Sequence, residues 1–288
     1  MTAVPASSIE DLRETAMDPQ FLSLCAGRLG RPEDEIRQRI VTALSEARVA
    51  FGLLGDIDLS GKRVLEVGAG IGFVSVLLQQ QGVEITAIEP GSGGFDMNER
   101  IGACLREWLK VRQSPVLGIG AEALEPGRHG PFDLIFSVNV LEHIPDLEGA
   151  VDAMCGVLRP GGVMRHTCPN YTVPYEPHFG ILLVPFAPRL TEHLVPGVRG
   201  TEVWDSLNFV TLPRIRRAFR RNGLACRFTK GTLYEAFARL EHDPVYRQRQ
   251  GGNRAVALSY ALLRRLGALG LLARLPPILA TPMTFEAR

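Results

Sequence analysis

Little in this sequence offers a covalent or metal staple. Its five cysteines, Cys25, Cys104, Cys155, Cys168 and Cys226, are odd in number, far apart and never spaced as CxxC. That argues against a cysteine zinc site or a redox pair and for the reduced thiols of a cytoplasmic protein. Neither sign of charge is in excess. With 32 basic against 31 acidic residues and a net +1, the chain lacks the surplus that neutralising many phosphates requires, so no nucleic-acid partner is expected. The first residues, Met1-Thr-Ala-Val-Pro5, show no basic region followed by an apolar run, so no signal peptide is expected. Long apolar runs are missing too: the richest stretch, 255–280, is broken by Arg264, Arg265 and Arg274, short of the roughly 20 apolar residues of a membrane span. Over 255–275 it reads as an amphipathic or buried helix, able to lie on a bilayer, cover a sheet edge or form a dimer contact. Internal repeats and low-complexity tracts are absent.

What remains is an ordinary globular composition, 45% hydrophobic and 22% charged over 288 residues, enough for one core plus accessory elements. From Ala6 to Leu54 the pattern is helical. Its clearest piece opens at Pro32 with Glu33, Asp34 and Glu35, a rigid residue and acids in a first turn. From Lys62 short β-rich runs alternate with helical stretches, which predicts a parallel sheet covered on both faces. The strands are expected over 63–67, 84–88, 115–119, 132–138, 162–167 and 224–229, and the helices between them over 71–81, 95–110, 147–158 and 212–222. Residues 168–205, too long for a simple connection and rich in Pro, His and Tyr, read as a substrate lid. Residues 231–277 read as a helical insertion ahead of a last antiparallel strand over 278–286.

Val64-Leu-Glu-Val-Gly-Ala-Gly-Ile-Gly72 runs from an apolar strand into three alternate glycines and then a helix. The glycines permit a tight turn and close approach of a ligand. A dinucleotide fingerprint needs G-x-G-x-x-G, and its third glycine would fall at Phe73. A carboxylate at Glu66 would repel a pyrophosphate and accept hydrogen bonds from an ammonium group. Glu89, ending the next strand, is placed to accept both hydroxyls of a ribose.

These residues resemble the class I S-adenosylmethionine-dependent methyltransferases, and the likeness runs from about Lys62 to Thr167. Further matches follow in order: Gly120-Ala-Glu-Ala-Leu124, Phe132 to Asp146 with its Leu-Glu-His turn, Leu158-Arg-Pro-Gly-Gly162, and Pro169-Asn170. The resemblance implies a three-layer α/β, Rossmann-like fold: a seven-stranded, mostly parallel sheet with an antiparallel last strand. Residues 1–60 would form an N-terminal helical cap and 61–288 the methyltransferase domain. It implies S-adenosylmethionine as co-substrate, with Glu66, Gly68, Ala69, Gly70 and Gly72 around its amino-acid part. Glu89 and Pro90 would lie at its ribose, Ala121 and Glu122 beside its adenine, and Asn139 at the donor side of the fourth strand. Gly120 stands where many members carry an acid or Ser.

Methyl transfer from a sulfonium is an in-line displacement that needs positioning and exclusion of water. An oxygen acceptor also needs a base, for which His143 is the first candidate, against the reading that the Leu-Glu-His turn only caps a helix. His166, Tyr171, Tyr175 and His178 are the candidate acceptor-binding residues. No metal is expected, because Glu142 and His143 are too few ligands and Asn139 replaces an acid three positions earlier. The expected activity is methylation of a small or medium acceptor, at oxygen, of metabolite, sugar or isoprenoid/quinone type. The alternative is a catalytically inactive binding or scaffold protein of the same fold, against which the intact donor motifs count. Phe73 and Glu66 count against a nicotinamide-dependent oxidoreductase.

Overall fold

A computed structural model of the chain describes residues 6–91, 96–111, 116–243, 246–247 and 254–288. Three helices lead: α1 (Ala6–Ala16), α2 (Pro19–Leu29) and α3 (Glu33–Leu54). Asp18 caps α2 by accepting the Gln20 N–H at 2.7 Å, Pro19 sits in its first turn, and Gly30 closes it at φ 64°. Glu33, Asp34 and Glu35 line the first turn of α3, where negative charge meets the positive end of the helix dipole.

Strand and helix then alternate as β1 (Arg63–Val67), α4 (Phe73–Gln80), β2 (Glu84–Ile88), α5 (Asp96–Trp108), β3 (Val116–Leu117), β4 (Phe132–Val138), α6 (Leu147–Gly156) and β5 (Leu158–Cys168). A short hairpin, β6 (Tyr175–Glu176) and β7 (Ile181–Leu182), is followed by α7 (Glu202–Ser206), α8 (Leu212–Arg221), β8 (Cys226–Phe228) and α9 (Thr232–His242). The chain ends in α10 (Arg254–Arg265), α11 (Leu269–Leu272) and β9 (Met283–Ala287).

Seven strands make one sheet in the order β3-β2-β1-β4-β5-β9-β8. β1 runs parallel to β2 and β4, β2 parallel to β3, and β8 and β9 pair antiparallel. This is the expected Rossmann-like sheet, with β1 and β4 central, so the turns at their carboxyl ends are flanked by strands on both sides.

The chain divides into two compact units, residues 1–138 with 148–165, and residues 139–147 with 166–288. In the first, the helical cap shares one core with the sheet: Phe21, Ile36 and Ile40 pack in the same cluster as Val64, Phe73 and Phe136. In the second, Phe285 lies 5.4 Å from Phe219, and Trp204 lies 5.3 Å from Phe209, ring centre to ring centre.

Most elements fall within a few residues of expectation, and three differences have a physical reason. β5 is already strand at Leu158, so the Leu-Arg-Pro-Gly-Gly run expected as a turn lies inside it, with Gly161 at φ 79°. The last strand starts at Met283, because Pro276 and Pro277 have no N–H for a ladder and lead into a 3₁₀ turn over Pro277–Leu279. The stretch 168–205 holds the β6–β7 hairpin, which its irregular composition concealed. Phe95 and Pro115, where two expected elements begin, lie outside the described residues, as does part of the 231–277 insertion. Among the described residues no helix is long and apolar enough to cross a membrane.

Candidate active site

β1 gives way after Val67 to a turn in which Gly68, Gly70 and Gly72 have φ of 76°, 54° and 86°, a region that side chains oppose. The amides of Gly68 and Ala69 donate to the Ile88 carbonyl at 2.9 and 3.1 Å, fastening the turn to the end of β2. A Cβ on Gly70 would have open space around it. That position is a surface for a ligand.

The turn bounds a cleft of about 490 Å³, counting its open mouth, whose walls include Ala43, Glu46 and Ala47 of α3, Asn98 of α5, and Glu66, Phe136 and Val138. Glu46, in the second half of α3, and Asn98, in the first turn of α5, come from helices that strand–glycine–helix motifs do not reach, and no local pattern marked them. No basic residue belongs to this wall among the described residues. A cleft faced by carboxylates without cations suits a positively charged ligand.

Glu66 is buried, and its Oε2 has no hydrogen-bond partner. Burial pushes its pKa from 4.5 to about 8, against hydrogen bonds from Ser75, while the nearby Glu89 adds to the rise. Glu89, also buried, accepts the Gly70 N–H on Oε2 at 2.8 Å. Its pKa too is raised, by burial first, with bonds from Gly70 and Gly91 opposing. Behind the turn, Arg106 of α5 is nearly buried and bonds Glu99 at 3.0 Å. A Cβ on Gly102 would meet the Ile71 carbonyl oxygen at 2.5 Å and the Arg106 guanidinium at 2.9 Å, so α5 approaches the turn only because residue 102 is glycine.

Of the other expected donor residues, Pro90 is exposed, Ala121 is buried and Glu122 is exposed. A Cβ on Gly120 would stand 2.3 Å from Glu122 Oε1, so the Glu122 carboxylate fills the space that an acid or Ser at position 120 would take. Asn139 adopts φ 54°, which Asn tolerates better than most residues, and its N–H donates to Thr167 O at 2.8 Å.

The second unit collects most of the expected acceptor-side residues. Ser206 Oγ donates to the Val203 carbonyl at 2.8 Å and so accepts from His143 Nδ1, also at 2.8 Å. That leaves the ring lone pair on Nε2, which lies 3.9 Å from Glu142 Oε1. His143 and His178 meet edge to face at 5.1 Å. Both the ring Nδ1 and the backbone N–H of His178 lie 2.6 Å from Oε1 of the fully buried Glu176, and the Tyr171 hydroxyl donates to Glu176 Oε2. Glu142, His143 and His178 present ligand-type atoms within 4.8 Å of one another, so the turn that offered two such groups in sequence gains a third from the insertion. Burial, then the charge of His178, lowers the His143 pKa to about 3.

His166 takes a different place from the one expected. It is completely buried between Phe219 and Phe285, at 5.8 and 5.3 Å, and burial lowers its pKa to about 3. It alternates inward on β5 with the core residues Met164 and Cys168, a two-residue period that was legible. Tyr175 is half-buried in β6. Asn170 and Asn208 were not foreseen as architects. Asn208 Nδ2 donates to the carbonyls of Leu141 and Ile144 at 2.7 and 2.8 Å, holding the Leu-Glu-His turn. Buried Asn170 donates to the carbonyls of Pro277, Ile278 and Ala280 and accepts from the amides of Thr172 and Leu212.

Residues 36–229 match the methyltransferase-domain family. The chain belongs to the class I S-adenosylmethionine-dependent methyltransferases. It is 32% identical over 254 residues to an uncharacterised protein of Mycobacterium tuberculosis, covering 83% of this chain and 85% of that one. It is 28% identical over 236 residues to a ubiquinone biosynthesis O-methyltransferase of Bordetella pertussis, covering 81% and 90%. In fold it is similar to an S-adenosylmethionine-dependent methyltransferase of Mesorhizobium loti, with TM-score 0.51, 15% identity, and 82% and 95% of the chains covered. The methyltransferase's co-substrate is S-adenosylmethionine, and the cleft fits it. Its unclaimed buried carboxylate oxygen on Glu66, its lack of basic wall residues and the bare backbone at Gly70 match a compact ligand bearing ammonium and sulfonium charges.

Proposed function

We propose that this methyltransferase transfers its methyl group to an oxygen of a small or medium metabolite, of sugar or isoprenoid/quinone type. The relatives named ubiquinone biosynthesis O-methyltransferase support the acceptor class. The observation that carries the choice of oxygen is the pair of adjacent imidazoles, each tethered through Nδ1, at Ser206 and at Glu176. A hydroxyl must lose a proton as it is methylated, and a neutral imidazole in a fixed tautomer is a fitting acceptor for it.

When bound, S-adenosylmethionine would supply an electrophilic methyl carbon and a neutral thioether as its leaving group. Glu66 and the glycine turn would hold the amino-acid end, Glu89 and Pro90 the ribose, and Ala121 and Glu122 the adenine side. His143 would take the hydroxyl proton on Nε2. With a pKa of about 3 it is neutral but weakly basic in the physiological range, so Glu142, 3.9 Å away, would have to offset the charge it acquires for the proton to transfer. Tyr171, Tyr175 and His178 would face the acceptor.

The test supplies S-adenosylmethionine with hydroquinone, catechol, sugar and amine acceptors and follows the mass of the products. Methylated hydroxyl compounds are expected, and His143→Ala should lower turnover about 100-fold or more while donor affinity stays within about threefold. Methylation of amines alone would overturn the choice of oxygen. An unchanged rate in His143→Ala would remove His143 from the reaction.

A further inference from the structure

The C-terminal insertion turns its leucines toward solvent. Leu258 and Leu262 of α10 are 69% and 58% exposed, and Leu266 just beyond it is 67% exposed. Spacing by four places the three along one stripe of the helix surface. The same part of the chain carries charge of one sign only. Between residues 244 and 285 stand Arg247, Arg249, Arg254, Arg264, Arg265 and Arg274, with no Asp, Glu or Lys. The chain's net +1 is therefore the balance of +6 here and −5 elsewhere. Arg265 and Arg274 are exposed, and Arg264 lies 3.6 Å from Glu241.

An apolar stripe facing water is unfavourable by the hydration of each leucine, and the occupant that relieves it must also meet arginines. A second copy docking through the same face would set arginine against arginine. A surface that is anionic at its edge and apolar just beneath satisfies both demands. We propose that α10 and the turn after it dock on an anionic lipid surface. Leu258, Leu262 and Leu266 enter the boundary between headgroups and acyl chains, while Arg265 and Arg274 meet lipid phosphates. This inference stands apart from the identity of the acceptor, since none of these residues belongs to the candidate active site.

Co-sedimentation of the full chain with phosphatidylcholine vesicles, with and without phosphatidylglycerol, tests it. Binding is expected only where phosphatidylglycerol is present, and it should weaken as salt is raised. The triple variant Leu258→Ser, Leu262→Ser, Leu266→Ser should reduce partitioning about tenfold or more, and so should Arg265→Gln with Arg274→Gln. Both variants alter exposed side chains, and unchanged donor affinity by calorimetry will show that they are folded. No partitioning onto anionic vesicles, or full partitioning of the leucine variant, would overturn the proposal. So would light scattering that shows a dimer lost with the leucines, which would assign the face to a second copy.

Discussion

Glu66 holds a proton at neutral pH because burial penalises its charge, and that proton must leave before the side chain can face an ammonium group. Its pKa lies near 8 in place of 4.5, so donor affinity should fall by up to tenfold for each pH unit below about 8. Above about 8 the donor's own amine loses its charge, so affinity should peak near that value. Calorimetry from pH 6 to 9, taken as the range around about 8, checks this. Glu66→Gln should bind more weakly and lose the low-pH limb; an unaltered pH profile in that variant would remove Glu66 from the donor's amine. Two histidines, His166 fully buried and His143 nearly so, act on folding with a definite sign. His143 and His166 have pKa values near 3 where 6.5 is ordinary. The unfolded chain therefore binds their protons first, and the stability they contribute is complete above about 6.5 and lost as pH falls from there toward 3. Each should cost about 1 kcal/mol of stability per pH unit within that window. Thermal melts at pH 7 and 5.5, within the window set by about 6.5 and 3, should show a smaller acid loss for His166→Phe. At this scale the meeting of Glu66, Gly70 and Glu89 around one turn was legible, because strand, glycine turn and strand-end acid follow one another in a short stretch of sequence. Glu46, Asn98 and Ser206 were not, since their relevance comes from elements distant in sequence.

Elements owe their placement to a few contacts that no periodicity announces. α5 was legible as a helix, yet its closeness to the glycine turn rests on Gly102, where a Cβ would lie 2.5 Å from the Ile71 carbonyl. Gly102→Ala should therefore lower stability by about 1–3 kcal/mol and weaken donor binding. Denaturant melts with calorimetry would show it; unchanged values would mean the helix shifts freely. The insertion after β5 is likewise built. Arg189 donates to the carbonyls of Trp204 and Leu207 at 2.8 and 2.5 Å and stacks 4.9 Å over Phe209. It also donates to the Asp205 carbonyl at 3.3 Å, so Arg189→Ala leaves three carbonyls without that donor, and limited proteolysis should then cut within 168–205 sooner. Asn170→Leu would strip donors from three carbonyls and an acceptor from two amides at once. A loss of at least about 3 kcal/mol in a denaturant melt is expected. Pro169-Asn170 was visible as a motif, but its role as a clasp depends on carbonyls more than 100 positions later, beyond any local pattern.

Across the whole molecule, the sheet was the most legible part. Alternating β-rich and helical runs specify right-handed crossovers, and those leave few strand orders to choose from. The irregular stretches were the least legible, because their shape is decided by side-chain bonds to backbone and not by repeating hydrophobicity. The glycine turn lies within the first compact unit, whereas Tyr171, His143 and His178 lie within the second. Asn170 has a consequence for how such a protein can diverge. By gripping residues 277–280 it anchors the returning chain beside the end of β5, while α8 and β8 fix the departing chain. The segment between those two moorings can be lengthened, shortened or exchanged for another without displacing Tyr171. A lineage can thus change what that face meets while the Asn170 clasp stays in place.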